Sequence, residues 1–245
     1  MHGPMEEQGQ LPSGGAVDPQ KEGRDVLIDL HTHSLFSDGV LVVSELVRRA
    51  EEMGYQYIGI TDHADRSNLD LIIPRVARAT EEINRHNRIQ AIPGIELTHV
   101  PPATIGPLAA EARELGAKLV VVHGETIVEP VLPGTNLAGL EADIDILAHP
   151  GLLTEEEAAL AARRSILLEI SGRKGHSFTN GHVAQVAQAA GAGLILNSDA
   201  HGPGDLLSRE MREKIALGAG LEQRDFQQMV RNGENLVRRR QNERQ

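Results

Sequence analysis

The sequence predicts a single α/β domain that folds as a distorted seven-stranded βα barrel. Three observations support this prediction: short apolar segments alternate with helix-like segments, no linker divides the series, and 40% of the 245 residues are hydrophobic. Alternating strands and helices are typical of a parallel sheet, and a chain of this length can bury one large core. We therefore expect one barrel over residues 25–235.

The predicted strands are short aliphatic runs, which suit strands buried on both faces of a parallel sheet. In chain order they are Val26–Leu30, Tyr57–Thr61, Ala91–Leu97, Leu119–Val122, Ile144–Ala148, Ile166–Ile170 and Leu194–Asn197. The helix-like segments lie near residues 43–54, 74–87, 105–116, 135–142, 154–164, 181–191 and 205–219. No eighth strand is expected after them, because Glu222–Arg231 and Asn235–Arg240 both have helical patterns.

Residues at the helix boundaries support this assignment. Ser44, Thr154 and Asn180 stand where N-caps are expected, and Thr154 with Glu157 matches a capping box. Glycine is common where a helix ends, and the predicted helix ends carry Gly54, Gly116 and Gly191.

The two ends of the chain differ from the barrel in composition. Residues 1–24 are mainly Gly, Pro, Gln and charged residues, which predicts a disordered N-terminal tail. Residues 236–245 form a basic C-terminal tail that contains three consecutive arginines, Arg238–Arg240. Such a run usually marks a solvated helix end.

Composition excludes several classes of protein. The chain has no cysteine, so any zinc must be bound by histidines and carboxylates. No apolar run approaches the roughly 20 residues that span a bilayer, and no secretory signal is visible, so a cytoplasmic enzyme is expected. With no tryptophan, five other aromatic residues (three Phe, two Tyr) and a net charge of -11, a stable nucleic-acid complex is not expected.

The most informative segment, Asp29–Gly39, joins the first predicted strand to its loop. Because strand side chains alternate between faces, His31 and His33 point the same way, about 7 Å apart, and can bind one divalent cation. Asp29 shares this face, and we expect its carboxylate to accept a hydrogen bond from an imidazole N–H. The alternative is a pair of hydrogen-bonded core histidines.

Histidines and carboxylates also stand at the ends of the other predicted strands, where a βα barrel carries its chemistry. The set comprises His31, His33, Asp38, His63, Glu96, His123, His149, Glu169, Asp199 and His201. Burying so many polar groups without a cation would be costly. Six imidazoles with Asp38, Glu96 and Asp199 exceed the capacity of one ion, which predicts two or three divalent ions. Clustered ions of this kind suit the hydrolysis of phosphate esters.

A charged loop follows the sixth predicted strand. Its residues Arg173, Lys174 and His176 stand among glycines, and they favour a loop that binds substrate phosphate above the metal site. The alternative is an ordinary solvated loop.

Several motifs, taken in order, resemble those of the PHP family, which is named after polymerases and histidinol phosphatase. They are His31-x-His33 with Ser37-Asp38-Gly39, Thr61-Asp62-His63, Gly94-Ile95-Glu96, His149-Pro150-Gly151 and Ser198-Asp199-Ala200-His201. The resemblance covers residues 26 to about 235. It implies a distorted (β/α)7 barrel, a variant of the TIM barrels of metal-dependent hydrolases, with three metal ions.

The resemblance also implies three ligand sets. They are His31, His33, Glu96 and Asp199 for one ion; Glu96 (bridging), His123 and His149 for a second; and Asp38, His63 and His201 for a third. The pattern at His123 is the loosest, and Glu125 is a conceivable substitute or supporting partner. Asp62 is expected to support the ligands from behind. The family uses zinc, manganese and iron, so the identity of the metal stays open.

The size of the chain resembles that of the stand-alone phosphatases of the family. This resemblance implies hydrolysis of a small phosphate monoester, with L-histidinol phosphate, an intermediate of histidine biosynthesis, as the best single candidate. A nucleotide phosphatase, phosphodiesterase or exonuclease is the first alternative. The sequence leaves open whether the chain forms a homo-oligomer. A C–N hydrolase of the amidohydrolase type is less favoured, because such enzymes usually carry a metal-bridging lysine at the end of the fourth strand. Here Lys118 stands at the beginning of that strand. A non-catalytic scaffold is also less favoured because every ligand position is filled.

Overall fold

The computed structural model describes residues 26–242, so the predicted disordered tail lies outside the described residues. The strands are β1 (Leu27–Asp29), β2 (Tyr55–Ile60), β3 (His63–Ala64), β4 (Gln90–Leu97), β5 (Leu119–His123), β6 (Ile146–Ala148), β7 (Leu167–Ser171) and β8 (Leu194–Asn197). The α-helices are α1 (Val43–Glu52), α2 (Leu69–His86), α3 (Pro102–Glu114), α4 (Thr135–Glu141), α5 (Glu155–Arg164), α6 (Asn180–Ala190), α7 (Arg209–Gly218) and α8 (Gln223–Asn242). A short 3₁₀ helix, His176–Thr179, precedes α6.

The strands pair in parallel in the order β1-β2-β4-β5-β6-β7-β8, which gives the nearly closed barrel that the sequence predicts. The two-residue strand β3 continues β2 after a short interruption and pairs His63 with Glu96 of β4. The prediction of one distorted seven-stranded barrel is therefore confirmed, with β3 as an added extension of the second strand.

The barrel closes between β8 and β1 mainly through side chains. The only backbone pairing that joins the two edges in the described chain is an isolated bridge between Thr32 and Ala200. The backbone N–H of Leu30 donates to Oδ1 of Asn197 at 2.9 Å, and the N–H of Ser198 donates to the Asp29 carboxylate at 3.1 Å. These contacts replace a regular ladder directly below the histidines of the first strand.

The C-terminal helix α8 closes the bottom of the barrel. Leu236 and Val237 of α8 are buried in the inner core with Ile28 and Ile195. The two helical segments predicted here form one helix, and the expectation of a solvated basic end is wrong for Arg240. Its Nε donates to the buried carboxylate of Asp145 at 2.7 Å because packing of α8 under the barrel brings the two together.

Helix boundaries confirm some of the predicted caps. Thr154 forms a capping box with Glu157, as expected. Ser44 is not an N-cap, because α1 begins one residue earlier, at Val43. Asn180 is the first residue of α6, and its side chain bonds to both the N–H and the C=O of Ser171, which fastens the helix to the end of β7.

None of the described helices is both long and apolar enough to cross a membrane.

A buried ion pair anchors the seam. Arg212 of α7 places its guanidinium 3.3 Å from the Asp29 carboxylate and donates to the carbonyl groups of Ile28 and Leu196. Both side chains are almost completely buried. Arg212 therefore joins α7 to β1 and β8, the two strands that have no regular ladder between them.

Replacing Arg212 with Met is expected to lower the free energy of unfolding by about 3–5 kcal/mol, because the Asp29 carboxylate would stay buried without its cation. Equilibrium urea unfolding measures this change. Lys214→Met is the matched control, since it removes a cation of the same helix whose partner, Glu210, is exposed. Equal losses in the two variants would contradict the anchoring role.

Candidate metal centre

The structure brings all nine predicted ligands together at the C-terminal end of the barrel. They lie within or shortly after β1, β3, β4, β5, β6 and β8, and they are His31, His33, Asp38, His63, Glu96, His123, His149, Asp199 and His201. Six of them are buried, whereas Asp38 is exposed and His201 and His63 are partly exposed. The cluster therefore extends from the barrel interior to its mouth.

The innermost predicted set has distances that suit one ion. Nε2 of His31 lies 3.3 Å from Oε1 of Glu96, and Nε2 of His33 lies 3.0 Å from Oδ1 of Asp199. Nε2 of His31 is also 3.8 Å from the same Asp199 oxygen. Two donors that each lie about 2.0–2.2 Å from zinc are separated by at most about 4.4 Å, so each of these three pairs is close enough to share an ion.

The outermost set is arranged around Asp38. Its Oδ1 lies 3.1 Å from Nε2 of His201 and 3.5 Å from Nε2 of His63. The intermediate set lies deeper, where Nε2 of His149 is 3.6 Å from Oε1 of Glu96, and the ring centroids of His149 and His123 are 4.4 Å apart. Glu96 faces all three sets and suits a bridging carboxylate.

Unpaired buried atoms test whether these residues fit metal ions. Nε2 of His31 and His33, Oε1 of Glu96 and Oδ1 of Asp199 are buried without a hydrogen-bond partner. Each such atom would cost about 1–3 kcal/mol if left unsatisfied. All four belong to the innermost ligand set, so a divalent cation would satisfy them together. The residues present fit a metal centre.

The electrostatics also favour metal binding. Burial lowers the pKa values of His33 and His149 well below their usual range, so both rings are neutral near pH 7. Burial opposes ionisation of Glu96, but the facing His31 and His63 hold its pKa well below its usual range. Neutral imidazoles and an ionised carboxylate are the forms that bind a metal. Burial opposes protonation of His31, but the carboxylates of Glu169 and Glu96 raise its pKa well above its usual range, so a bound cation would displace a proton there. Burial raises the pKa of Asp199 to about 7, so a bound cation would displace a proton there near neutral pH.

A carboxylate orients His31, but it is not the one expected. Oε2 of Glu169, in β7, lies 2.8 Å from Nδ1 of His31, which leaves Nε2 facing the ligand cluster. Asn197 donates to the same oxygen at 2.9 Å. The expectation for Asp29 is wrong, because its carboxylate is held by backbone N–H groups and Arg212.

Asp62 holds the loop that presents Asp38. Its buried carboxylate accepts four hydrogen bonds, from the backbone N–H and the hydroxyl of both Ser34 and Ser37, at 2.7–3.1 Å. The same loop turns at Gly39, where an added Cβ would lie 2.3 Å from the carbonyl oxygen of His33. Asp62 therefore supports the ligand loop from behind, in agreement with the sequence-based expectation.

Glu125 does not reach the ligand cluster. Its Oε1 accepts hydrogen bonds from the N–H groups of Gly134 and Asn136, both at 2.9 Å. It therefore fixes the path of the loop between β5 and α4. The position at the end of β5 is filled by His123.

The predicted substrate residues occupy two different places. Arg173 and Lys174 line a cavity of about 340 Å³ that also contacts Asp199. His176 is buried, stacks on His149 with ring centroids 4.1 Å apart, and has Nδ1 2.8 Å from the hydroxyl of Thr126.

Sequence reasoning missed two residues of the site. Glu129, in the loop between β5 and α4, contacts the imidazoles of His99, His123 and His176. His99 follows β4 by two residues, which was the available signal for it. Glu129 had no such signal, because it stands in no motif and its place depends on the path of the loop.

Comparisons with known proteins identify the family. The model of the PHP domain matches residues 29–165, which is more than half of the chain. The chain belongs to the PHP family. The uncharacterized protein MJ1295 of Methanocaldococcus jannaschii is 46% identical over 201 residues, which cover 81% of this chain and 92% of that protein. The family predicted from the motifs is therefore confirmed.

Two further similarities concern enzymes. The histidinol phosphate phosphatase of Lactococcus lactis, solved with zinc, L-histidinol and phosphate, superimposes with a TM-score of 0.59 at 17% identity, covering 80% of this chain and 94% of that chain. The 5'-3' exoribonuclease Rnm of Escherichia coli is 40% identical over 76 residues, which cover 31% of this chain and 24% of that enzyme. The chain thus has the fold of the metal-dependent PHP phosphoesterases.

Replacing Asp62 with Ala is expected to weaken metal binding by the set that contains Asp38, by about 10- to 100-fold in affinity. Isothermal titration of the metal-free protein with Zn²⁺ or Mn²⁺ measures this loss, and melting curves report whether the variant folds.

The matched control is Asp65→Ala, because exposed Asp65 makes the same kind of bonds to Ser67 but does not hold the ligand loop. Unchanged affinity in a folded Asp62→Ala protein would show that the loop does not need this anchor.

Proposed function

We propose that this protein is a metal-dependent phosphatase that hydrolyses a small phosphate monoester in the cytoplasm. L-histidinol phosphate, cleaved to histidinol and phosphate, is the best single candidate, which would place the enzyme in histidine biosynthesis. The observation that carries the proposal is the convergence of the nine predicted ligands, some with unpaired buried donor atoms, at the C-terminal end of a PHP barrel.

In this proposal, two or three divalent ions (zinc, manganese or iron) are bound by the nine ligands. The ions would supply polarisation of phosphoryl oxygens and activation of water near neutral pH. Glu169 and Asp62 keep the ligands in place through their hydrogen bonds to His31 and to the Asp38 loop. The protein provides a preorganised, largely dehydrated pocket in which these electrostatic interactions are strong.

Arg173 is the best candidate for binding the phosphoryl group. Its Nη1 lies 2.7 Å from Nδ1 of His201 and 3.1 Å from the carbonyl oxygen of Asp199. The side chain is one-third exposed, so part of the guanidinium can donate to a phosphoryl oxygen. Lys174 lines the same cavity, whose volume of about 340 Å³ suits a small ester.

A nuclease or nucleotide phosphatase is the second candidate. The local identity to an exoribonuclease favours it. The acidic net charge and the scarcity of aromatic residues oppose it, because single-stranded nucleic acid binds to basic grooves with stacking platforms. A small phosphorylated substrate remains the better account.

The test is phosphate release by metal-loaded protein from L-histidinol phosphate, nucleoside monophosphates, sugar phosphates and a phosphate diester. We expect a kcat/KM of about 10⁴ M⁻¹s⁻¹ or more for L-histidinol phosphate, abolished in His33→Ala. His86→Ala is the control, since His86 is an exposed residue of α2. Activity confined to nucleotides or the diester would exclude the histidinol phosphate assignment.

A further inference from the structure

His176 is a buried histidine that belongs to none of the three ligand sets. It begins the 3₁₀ helix that follows β7, and only 4% of its surface is exposed. Its ring stacks on that of His149 with an interplanar angle of 16°, and it lies across the ring of His123 with the two centroids 5.8 Å apart. His176 therefore lies beside the two imidazoles that are predicted to share the second ion.

The nitrogens of these three imidazoles converge. One ring nitrogen from each of His123, His149 and His176 lies within 4.8 Å of the other two, and all three residues are buried. Nitrogens bound to a single tetrahedral zinc ion at about 2.0–2.1 Å are about 3.4 Å apart. The observed separations exceed this value by at most about 1.4 Å, so small side-chain rotations would bring all three nitrogens onto one ion.

The hydrogen bond made by His176 leaves its Nε2 for a metal. Nδ1 lies 2.8 Å from the hydroxyl oxygen of Thr126, which is also buried. A histidine that binds a metal usually engages its other ring nitrogen in this way, which fixes the orientation of the ring. Nε2 faces two carboxylate oxygens, Oε1 of Glu129 at 3.4 Å and Oδ2 of Asp199 at 3.9 Å. Anionic oxygens on the same side as Nε2 favour a cation at this position.

The position of His123 favours a set that includes His176. Nε2 of His123 lies 3.1 Å from Oε2 of Glu129, on the side of the cluster where His176 stands. Within the described residues, neither ring nitrogen of His123 lies within 4 Å of a Glu96 oxygen, and Glu96 reaches this set through His149, at 3.6 Å. His176 is therefore the residue that supplies a third donor to His123 and His149 most directly.

We propose that His176 is a further metal ligand, whose Nε2 binds the ion held by His123 and His149 and gives that ion three imidazoles. This inference rests on the metal centre of the proposed function and adds to it a ligand that the three implied sets lack. A set with three imidazoles suits zinc or iron better than manganese, which prefers oxygen ligands. His176 would thus favour zinc or iron over manganese at this position.

The position of the ion tests the proposal in the wild-type protein. Crystals of the zinc-loaded protein should show an anomalous peak about 2.0–2.1 Å from Nε2 of His176, with nitrogens of His123 and His149 at similar distances. Zinc peaks at His31 and His33, with none bonded to His176, would overturn the inference and leave a metal-dependent phosphatase in place.

The zinc content of variants gives a second test, which does not depend on activity. His176→Phe keeps a ring that can stack on His149 but has no donor nitrogen, so at a fixed low concentration of free Zn²⁺ it should hold about one zinc ion fewer per chain than the wild type. Thr126→Val removes only the hydrogen bond to Nδ1 and should weaken zinc binding at this position by about 10- to 100-fold. His182→Phe is the matched control, since Nε2 of His182 contacts the carbonyl oxygen of Leu153, and its zinc content should equal that of the wild type.

The outcomes separate this inference from the proposed function. A folded His176→Phe protein with the zinc content of the wild type would mean that His176 only supports the ring of His149, which overturns the inference. Melting curves report whether each variant folds, and if His176→Phe does not, the crystals of the wild-type protein decide. Phosphate release by wild-type protein with no zinc bonded to His176 overturns this inference alone. Wild-type protein that binds none of zinc, manganese and iron overturns the proposed function as well.

Discussion

The structure depends on keeping a dense cluster of ionisable side chains inside one end of an aliphatic barrel. Glu96 is central to the cluster, because its carboxylate oxygens face the imidazoles of His31, His63 and His149 within 3.6 Å. Burying these groups without complete hydrogen bonding costs free energy, and bound cations would remove that cost. Metal binding would therefore stabilise the fold of this protein.

The surrounding scaffold keeps the cluster in register. The seam between β8 and β1 lies beside His31 and His33, and it is closed by Asn197 and by the buried pair of Asp29 and Arg212. Asn197 also donates to Glu169, the residue that orients His31. The seam between β8 and β1 therefore has little backbone pairing, and side-chain hydrogen bonds there connect the fold to the ligands.

The order of the elements and the gathering of the histidines and carboxylates at one end of the barrel were predictable because their signals are local. Apolar runs mark the strands, and in a βα barrel the residues that follow strands meet at one end. Contacts between residues far apart in the sequence were not predictable. Asp29, which was expected to orient His31, pairs with Arg212, 183 residues away, and Glu169 orients His31 instead. Glu129 stands in a loop whose path is set by Glu125, so no periodicity or motif indicated it.

The central claim is that this end of the barrel binds a cluster of divalent ions. Anomalous X-ray diffraction from crystals grown with Zn²⁺ tests it most directly. We expect at least two anomalous peaks about 3.5–4 Å apart, with Glu96 between them and with His31 and His33 bound to one of the ions. A well-ordered site with no anomalous peak, or with zinc bound only elsewhere on the chain, would contradict the account.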